Sequence, residues 1–561
     1  MNRVTASLLL ENLLDRVEQD SDTGKWRLGT LSAKERAAIE LAVAVLGEEF
    51  GVDVPDDVSV LKSTVVVVPP VAQAVPPNET ATVAEMPNGP KVVLNVRSLD
   101  QTSVDNLGVT LCLDFGTAMS KAFAMQGDER PIELALGVRG GANGYPVDST
   151  LFITDDGLIV FGPQAVALSA QVVESGRARF DSPKARLSMG EPGDIEKIYV
   201  GADINPTTTP ISEGELITLY LGYLTGLAVA ELEAQGYSRY TSRRFARPCW
   251  SDDRNRWAEP LLRRMLAQAQ ILADTFDGRW QSGIPVVEAK MALSKLRELA
   301  TFPDYLLDQG IPEPVAAAAS LMLRDEAQRE IFMVVDVGAG TTDFGVFLLQ
   351  NNPDKDVCLT RIIPGTIEYL PQAGNLVDDL LKFYVLDLEG IDSASAEGKH
   401  NKAYLDSRIR IYKETLFRDG VVEVILANHS RVVVDREDFL KSSRVQNFGQ
   451  RLKDKLEKVL DVVGDGYLDL LERTDLKVVL TGGGASLPMV SDLAKGVVEV
   501  RGRKIMRKPT PVVPAWIEET YPQFSSQYPQ LAVAIGGAAP ELPEQAASFA
   551  DFKGLSVQTY A

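Results

Sequence analysis

The sequence predicts an α/β protein with more than one hydrophobic core. The chain has 561 residues, which is more than a single ordinary core organises. Hydrophobic residues make up 45% and charged residues 24%, the composition of a folded globular chain. From residue 108 to about residue 545, short apolar runs typical of strands alternate with helical segments. This alternation is the pattern of an α/β fold.

The scarcity of histidine and cysteine excludes several kinds of functional site. The histidines are His400 and His429, and the cysteines Cys112, Cys249 and Cys358 lie more than a hundred residues apart. This spacing excludes zinc ribbons, Cys-x-x-Cys redox centres and disulfide frameworks. Neither histidine lies in a motif that a catalytic triad would need. Chemistry is therefore expected from carboxylates, hydroxyls, backbone amides and lysines.

The charge balance argues against nucleic acid as a partner. Lys and Arg number 57 against 78 Asp and Glu, a formal net charge of -21, so the field of the whole chain repels phosphate backbones. No apolar run reaches the roughly 18 residues of a membrane span, and Glu11 interrupts the leucines at 8–10 before they form a signal-peptide core. We therefore predict a cytoplasmic protein with reduced thiols, bound neither to a membrane nor to nucleic acid.

Residues 1–50 are predicted to form a helical hairpin. Apolar residues recur at helical spacing from Leu9 to Val17, and a second helix is predicted to begin at Ser32. Ser32 followed by Glu35 fits a capping box. Three roles stay open for this hairpin: packing on the main body, binding a partner protein, or self-association.

Residues 51–107 are predicted to be a linker rich in proline and valine. Prolines interrupt its short Val/Thr runs, which favours extended chain; they are Pro69, Pro70, Pro76, Pro77, Pro87 and Pro90. The run Val65 to Val68 could alternatively add an edge strand to a sheet. Residues 108–545 then form one large domain, and residues 546–561 a tail too short for another.

The first of three glycine turns lies between Val109 and Lys121. An apolar strand ends in Asp114, and a turn with Gly116 and Thr117 leads into a return strand. Exposed amides in such a turn can bind phosphate, glycine allows close approach, and the aspartate can hold a hydrated divalent cation. An ordinary β-hairpin with a glycine turn is the alternative for this segment.

The second turn, between Phe332 and Phe347, repeats this order of residue types. An apolar strand ends in Asp336, a Gly-Ala-Gly turn follows, and Thr341 begins the polar return. Two such hairpins at domain-scale separation indicate a duplicated fold whose halves face each other across the phosphates of a nucleotide.

The third turn follows the apolar run that ends at Thr481. Gly482, Gly483 and Gly484 would form a floor without side chains on which a base or ribose could lie. An ordinary strand-to-helix turn needs only one glycine.

In this order the three segments resemble the phosphate-one, phosphate-two and adenosine motifs of the actin-like ATPase superfamily, and most closely the ATPase domain of the heat shock protein 70 chaperones. Intermediate segments extend the resemblance over about residues 108–540. Phe180 to Leu187 is similar to the segment with the catalytic lysine, with one residue more, and Arg247 to Trp250 to the strand before the connecting motif. Glu313 to Ala319 resembles that connecting motif, and Val421 to Leu440 a hairpin of the second lobe.

The resemblance implies a duplicated actin-like fold, with lobe I at about 108–325 and lobe II at about 326–540 around a nucleotide cleft. It implies binding of ATP and ADP with Mg²⁺ and slow hydrolysis of ATP. The implied magnesium residues are Asp114 and Asp336, and the implied catalytic residues are Lys184, Glu313, Thr341 and Asp343. The implied nucleotide contacts are Gly116, Thr117, Ala118, Gly338, Ala339, Gly340, Thr341, Lys413, Gly482, Gly483, Gly484 and Ser486.

The chain departs from the family pattern at the adenosine end. Arg410 replaces an acidic residue that often binds ribose, Ser486 stands where the chaperones commonly stack an arginine on the base, and Gln530 stands where they usually have aspartate. The sequence also leaves no room after Gly536 for the peptide-binding domain of these chaperones. We therefore expect altered base recognition and no autonomous peptide binding.

The function expected from these features is a nucleotide-driven conformational switch that acts on a protein partner of unknown identity, with a divergent chaperone as its nearest type. An actin-like filament protein that assembles through residues 1–50 is the alternative. A metabolite kinase would need an aspartate base that faces a second substrate, and the sequence contains no motif for one.

Overall fold

The computed structural model of the chain describes residues 18–19, 26–27, 92–105, 108–127, 130–142, 144–172, 175–321, 328–352, 357–511 and 513–545. The chain divides into two compact units, Met1–Gly89 and Pro90–Ala561. In the first unit, β1 (Glu18–Gln19) pairs antiparallel with β2 (Trp26–Arg27). The helices predicted within 1–50, most of the predicted linker and the tail at 546–561 lie outside the described residues.

The second unit begins before residue 108, because the end of the predicted linker packs on its core. Val92 is buried, and its carbonyl oxygen accepts a hydrogen bond from Lys295 Nζ at 2.5 Å. The backbone amide of Asn95 donates to Thr275 Oγ1 at 3.0 Å. The apolar side chains of this segment contact the core of the following domain, so the segment belongs to the folded body.

The first half of this unit contains two sheets and the helices that cover them. Its strands are β3 (Val109–Asp114), β4 (Met119–Gln126), β5 (Arg130–Ile132), β6 (Val147–Asp148), β7 (Thr150–Ile153), β8 (Leu158–Phe161), β9 (Phe180–Asp181), β10 (Arg243–Arg247), β11 (Ile284–Pro285) and β12 (Leu307–Pro312). Its helices are α1 (Leu136–Arg139), α2 (Gly162–Ala170), α3 (Pro183–Met189), α4 (Glu213–Ala234), α5 (Asp252–Thr275), α6 (Val286–Glu298) and α7 (Glu313–Ala319).

The larger sheet of the first half combines a meander with parallel strands. Strands β3, β4 and β5 are antiparallel neighbours, while β10 runs parallel to β3 and β12 parallel to β10. The strand order is therefore β12-β10-β3-β4-β5, with β6 also paired to β4. A smaller antiparallel sheet has the order β11-β8-β7-β9.

Helix α4 forms the centre of the first half. It begins with a capping box, in which Ser212 accepts from the amide of Glu215 and Glu215 accepts from the amide of Ser212. Among the described helices it is the one long and apolar enough to cross a membrane, with a mean hydropathy of 1.3, but 89% of its most apolar window is buried inside the protein. Burial of this kind is typical of a core helix.

The second half contains a large sheet, a separate hairpin and its own helices. Its strands are β13 (Gln328–Val337), β14 (Thr342–Asn352), β15 (Val357–Ile362), β16 (Glu368–Leu370), β17 (Val421–Ile425), β18 (Arg431–Asp435), β19 (Leu476–Thr481), β20 (Gly496–Val500), β21 (Arg503–Pro509) and β22 (Glu544–Gln545). Its helices are α8 (Gly374–Leu388), α9 (Ala396–Asp406), α10 (Ile409–Asp419), α11 (Arg436–Lys441), α12 (Ser443–Asp461), α13 (Asp465–Arg473), α14 (Pro488–Ser491), α15 (Ala515–Thr520) and α16 (Tyr528–Gly537).

The large sheet of the second half has the same internal order as that of the first. Strands β13, β14 and β15 form an antiparallel meander, β19 runs parallel to β13, and β21 runs parallel to β19. The order β21-β19-β13-β14-β15 therefore matches β12-β10-β3-β4-β5 strand for strand. Each half has a separate hydrophobic cluster, and the α/β class predicted from the sequence is confirmed.

A third hydrophobic cluster joins the two halves. It contains Cys112 and Phe123 from the first sheet, Phe332 and Val334 from the second, and much of α16. Helices α7 and α16 approach so closely that a Cβ atom at Gly536 would lie 1.8 Å from the carbonyl oxygen of Ala316. Glycine is therefore required at this crossing, and the crossing fixes the ends of the strands around the site described next.

Candidate functional site

A cleft between the two large sheets contains most of the residues singled out in the sequence. Its space, counted together with the open solvent at its mouth, is about 1050 Å³. The predicted residues that line it are Asp114, Gly116, Thr117, Ala118, Lys184, Glu313, Asp336, Gly338, Ala339, Thr341, Lys413, Gly482, Gly483 and Gly484. Arg410 and Gln530 also line it. Gly340, Asp343 and Ser486 are not among the lining residues.

The loop between β3 and β4 forms one wall of the cleft. Asp114 is the last residue of β3, is 4% exposed, and faces Lys121 in the strand register. A Cβ atom at Gly116 would lie 1.9 Å from the carbonyl oxygen of Met119, so the tight turn requires glycine. The amides of Gly116, Thr117 and Ala118 donate no hydrogen bond to another backbone group of the described chain.

The loop between β13 and β14 forms the opposite wall. Its Gly338 amide donates to the carbonyl oxygen of Thr341 at 3.0 Å, whereas the amides of Ala339 and Gly340 donate to no other backbone group of the described chain. A Cβ atom at Gly340 would lie 3.0 Å from Thr117 Oγ1. Although Gly340 does not line the cleft, the two loops therefore meet here, and free amides of both surround the same space.

The glycines after β19 close one end of the cleft. Gly482 has a φ of 83°, and a Cβ atom there would lie 2.4 Å from Asp336 Oδ1. Its amide donates to the carbonyl oxygen of Pro529 at 2.7 Å, which ties this floor to α16. Ser486 is exposed to solvent and does not line the cleft, although the next residue, Leu487, does.

Lys184 and Glu313 form a buried ion pair within the cleft. Lys184 lies in the first turn of α3, and Glu313 is the first residue of α7. Their side chains are 4% and 9% exposed. Burial alone would lower the pKa of Lys184, but the carboxylates of Glu313 and Asp114 raise it above its usual value. Burial raises the pKa of Glu313, while the charge of Lys184 opposes this shift.

Asp343 lies behind the cleft wall and is fully buried. Its Oδ1 atom accepts a hydrogen bond from the backbone amide of Cys249 at 3.0 Å, and its Oδ2 atom has no hydrogen-bond partner among the described residues. Burial raises the pKa of Asp343. The contact with Cys249 was not predicted from the sequence, because its donor is a backbone N–H group, which every residue except proline has.

The end of the cleft at Lys413 and Arg410 is lined by paired charges. Lys413 Nζ donates to the carbonyl oxygen of Gly374 at 3.1 Å and to Asp378 Oδ2 at 2.9 Å. Arg410 pairs with Glu414 at 3.0 Å, and its guanidinium lies 3.8 Å from Asp148 of the first half. Of the three residues at which the sequence departs from the pattern it resembles, Arg410 is thus engaged with carboxylates.

Several lining residues were missed at the sequence level, namely Lys121, Asn375, Asp378 and Glu414. Lys121 had a usable signal, since it lies on the same face of the return strand as Met119, which also lines the cleft. Asn375 lies in the first turn of α8 and Asp378 directly after that turn, and no motif in the sequence marked this part of the helix.

The acidic side chains at the centre of the cleft favour a cation. Within the described part of the chain, no group of three or more His, Cys, Asp or Glu side chains is arranged to hold a metal alone. Magnesium needs only one or two carboxylates together with water and phosphate oxygens, which fits Asp114 and Asp336. Burial raises the pKa of Asp336 well above its usual value, and the charges of Glu313, Asp343 and Asp114 raise it further, whereas Lys121 lowers it. A bound cation would relieve this repulsion.

No protein-family model matches the chain, and no curated protein matches it either.

Proposed function

We propose that the Pro90–Ala561 unit is a magnesium-dependent ATPase of the heat shock protein 70 type, with a duplicated actin-like fold whose lobes enclose the nucleotide. The observation that carries this proposal is the pair of glycine loops. Equivalent loops of two sheets with the same strand order meet at Thr117 and Gly340, and their free amides surround one space. Backbone amides so arranged bind the oxygens of a polyphosphate.

The residues around the loops have the chemistry that phosphoryl transfer needs, which is mostly positioning and charge compensation. Asp114 and Asp336 would hold magnesium, which when bound supplies positive charge for the phosphates. Lys184, fixed by Glu313, directs an ammonium group into the cleft near the loops. Glu313 would orient the attacking water, and the Thr341 hydroxyl would contact phosphate.

Asp343 takes a more distant role than the family resemblance implies for it. Because it lies behind the wall, it would act by holding the β13–β14 loop through Cys249 and by adding negative charge at the magnesium position. Direct contact with water or phosphate would require this fully buried carboxylate to become accessible.

Closure of the two halves on ATP would provide the conformational change of a switch. We propose that this change is transmitted to a cytoplasmic protein partner, as in a divergent chaperone. The cleft is formed by loops of both halves, so its ligand state and the relative position of the halves would be coupled.

The test is nucleotide binding and turnover by the full chain. We expect slow release of phosphate from ATP that requires Mg²⁺, and a loss of turnover of about 100-fold or more in Lys184→Ala and Thr341→Ala. Lys382→Ala is the matched control, since Lys382 also pairs with carboxylates but lies outside the cleft. Wild-type protein that neither binds nor hydrolyses ATP would refute the proposal.

A further inference from the structure

The β20–β21 hairpin extends the large sheet of the second half beyond the strand order that the two halves share. That shared order ends at β21, and β20 is an additional antiparallel strand outside it. Arg501 and Gly502 join the two strands, and their φ angles of 47° and 79° are both positive, as in a type I′ turn. No strand of the described chain pairs with the outer side of β20. This side is therefore a sheet edge to which a further strand can add.

The outer side of β20 presents unpaired backbone groups. In a two-residue hairpin the residues that flank the turn exchange hydrogen bonds, and bonded and non-bonded pairs alternate from there. Val497 opposite Met506 and Glu499 opposite Lys504 are therefore non-bonded pairs. The N–H and C=O groups of Val497 and Glu499 point away from β21, and no loop or cap of the described chain bonds to them. Their spacing matches the backbone of one extended peptide.

The side chains beside this edge combine exposed apolar surface with lysines. Val497 and Met506 face each other across the hairpin and are 52% and 41% exposed. Lys495 directly before β20 and Lys504 on β21 are also exposed, and neither forms an ion pair within the described part of the chain. An extended segment along β20 would contact the apolar pair and lie within reach of both ammonium groups.

The hairpin is basic, although the whole chain has a formal net charge of -21. Between residues 495 and 508 the acidic residue is Glu499, and the basic residues are Lys495, Arg501, Arg503, Lys504, Arg507 and Lys508. Arg501 and Arg503 pair with aspartates of α13, and Lys508 pairs with Asp475. The positive charge left for a partner is therefore that of the two lysines at the edge, which favours an acidic partner.

We propose that β20 binds an acidic, extended segment of a partner protein, which adds to the large sheet as a further strand. A polypeptide offers N–H and C=O groups at the spacing of this edge, whereas a nucleic acid or an anionic membrane would use the lysines alone. The inference goes beyond the proposed ATPase and does not depend on it, because no residue of the β20–β21 hairpin lines the cleft.

A second copy of the chain fits this edge less well than an acidic peptide. The register in which the outward groups of both copies pair with one another is centred on Val498. It places Lys495 of each copy opposite Arg501 of the other, and like charges directly opposite each other destabilise a strand pair. A peptide with carboxylates at these positions is attracted instead.

The experiment measures binding of the full chain, without nucleotide, to a fluorescein-labelled peptide of about seven alternating glutamate and valine residues, the length of an ordinary strand. Fluorescence anisotropy at low ionic strength gives the affinity. We expect binding, and a loss of about 10-fold in the double variant Lys495→Gln with Lys504→Gln. Lys399→Gln is the matched control, since Lys399 is also exposed but lies on α9.

Two further measurements separate strand addition from attraction by charge. The same peptide with N-methyl groups at alternate residues keeps its carboxylates but loses the N–H groups that face β20, so its affinity should fall at least about 10-fold. Val497→Pro removes an outward N–H group and no bond to β21, so it should weaken binding of the unmodified peptide similarly while the hairpin stays folded. The methylated peptide needs no change in the protein, so it decides the question even if the proline variant does not fold.

Three results would overturn the proposal. One is wild-type protein that does not bind the acidic peptide. Another is equal affinity for the unmodified and the N-methylated peptide, which would mean that charge alone attracts the ligand. The third is self-association of the wild-type chain that Val497→Pro abolishes, as measured by sedimentation velocity, since the edge would then bind a second copy.

Discussion

At the scale of single residues, the ion pair between Glu313 and Lys184 sets the charge at the centre of the cleft. Both side chains are removed from water, so each depends on the other to stay ionised. Burial raises the pKa of Glu313 to about 7, partly opposed by Lys184. A carboxyl group with such a pKa changes its charge within the range of ordinary enzyme assays.

For the proposed ATPase, this shift predicts that turnover depends on pH. Below about pH 7 Glu313 is protonated, so it neither orients water nor compensates Lys184, and kcat/KM should rise as the pH increases through about 7. The pH dependence of kcat/KM reports the pKa values of the free enzyme, and the pKa of Glu313 given above is that of the ligand-free cleft. The measurement is kcat/KM for ATP from pH 5.5 to 8.5.

Glu313→Gln provides the control for this prediction. The glutamine keeps the shape of the side chain and cannot ionise, so its residual kcat/KM should be flat across the same range. A variant that retains the rise with pH would show that another group titrates.

Residue types together with the family resemblance predicted the lining of the cleft well and its outer parts poorly. Asp114 and Asp336 were recognisable because each lies at the end of an apolar strand, two residues before the first glycine of a turn. Ser486 and Asp343 were assigned to the site, but one is exposed beyond the glycine floor and the other is buried behind the wall. Whether a side chain enters the cleft depends on how the chain turns after a strand, and residue type does not reveal this.

At the scale of elements, the strand-turn-strand units were predictable because strand periodicity and glycine turns are local signals. Strands β3 and β4 and strands β13 and β14 flank the two turns as the sequence indicates. The start of α8 was not predictable, although its Gly374 and Asn375 amides donate to the carbonyl oxygens of Gly338 and Ala339. That contact joins segments far apart in the sequence.

Because α7 and α16 cross in close contact, we predict that any side chain larger than that of Gly536 destabilises the protein. A methyl group there would lie 1.8 Å from the carbonyl oxygen of Ala316 and 2.6 Å from the amide nitrogen of Ser320, both backbone atoms that cannot yield cheaply. Gly536→Ala should lower the free energy of unfolding by about 3 kcal/mol or more. Urea denaturation followed by fluorescence measures this loss.

Gly464→Ala is the comparison for this element, since a methyl group at Gly464 meets only Tyr467 at an ordinary 3.7 Å. Its free energy of unfolding should change by less than about 1 kcal/mol. Equal losses of unfolding free energy in Gly536→Ala and Gly464→Ala would contradict a close contact between α7 and α16 at Gly536.

At the scale of the whole molecule, two sheets with the same strand order present their loops to one cleft. The two walls of the cleft come from different halves, because the β3–β4 loop faces the β13–β14 loop, and the floor after β19 is tied to α16. The repetition of the strand-turn-strand unit was inferable from the repeated Asp–glycine turns. The positions of the parallel strands β10, β12, β19 and β21 could not be inferred, since the pairing of strands across long connections has no local sequence pattern.

A ligand held by both halves should therefore protect both halves at once. With ATP and Mg²⁺ at about 100 times the dissociation constant, binding stabilises the ligand-bound state by about 2.7 kcal/mol. We expect slower amide hydrogen exchange in the loops at 115–118, 338–341 and 482–484 together, measured by mass spectrometry. Exchange in the β17–β18 hairpin, which does not line the cleft, should stay unchanged and serves as the internal reference.

The variant Asp336→Asn tests whether the loops are protected together. In this variant the protection should be lost from all three loops, including the loop at 115–118, which belongs to the other half. Protection confined to the loops of one half would contradict a nucleotide bound between the two.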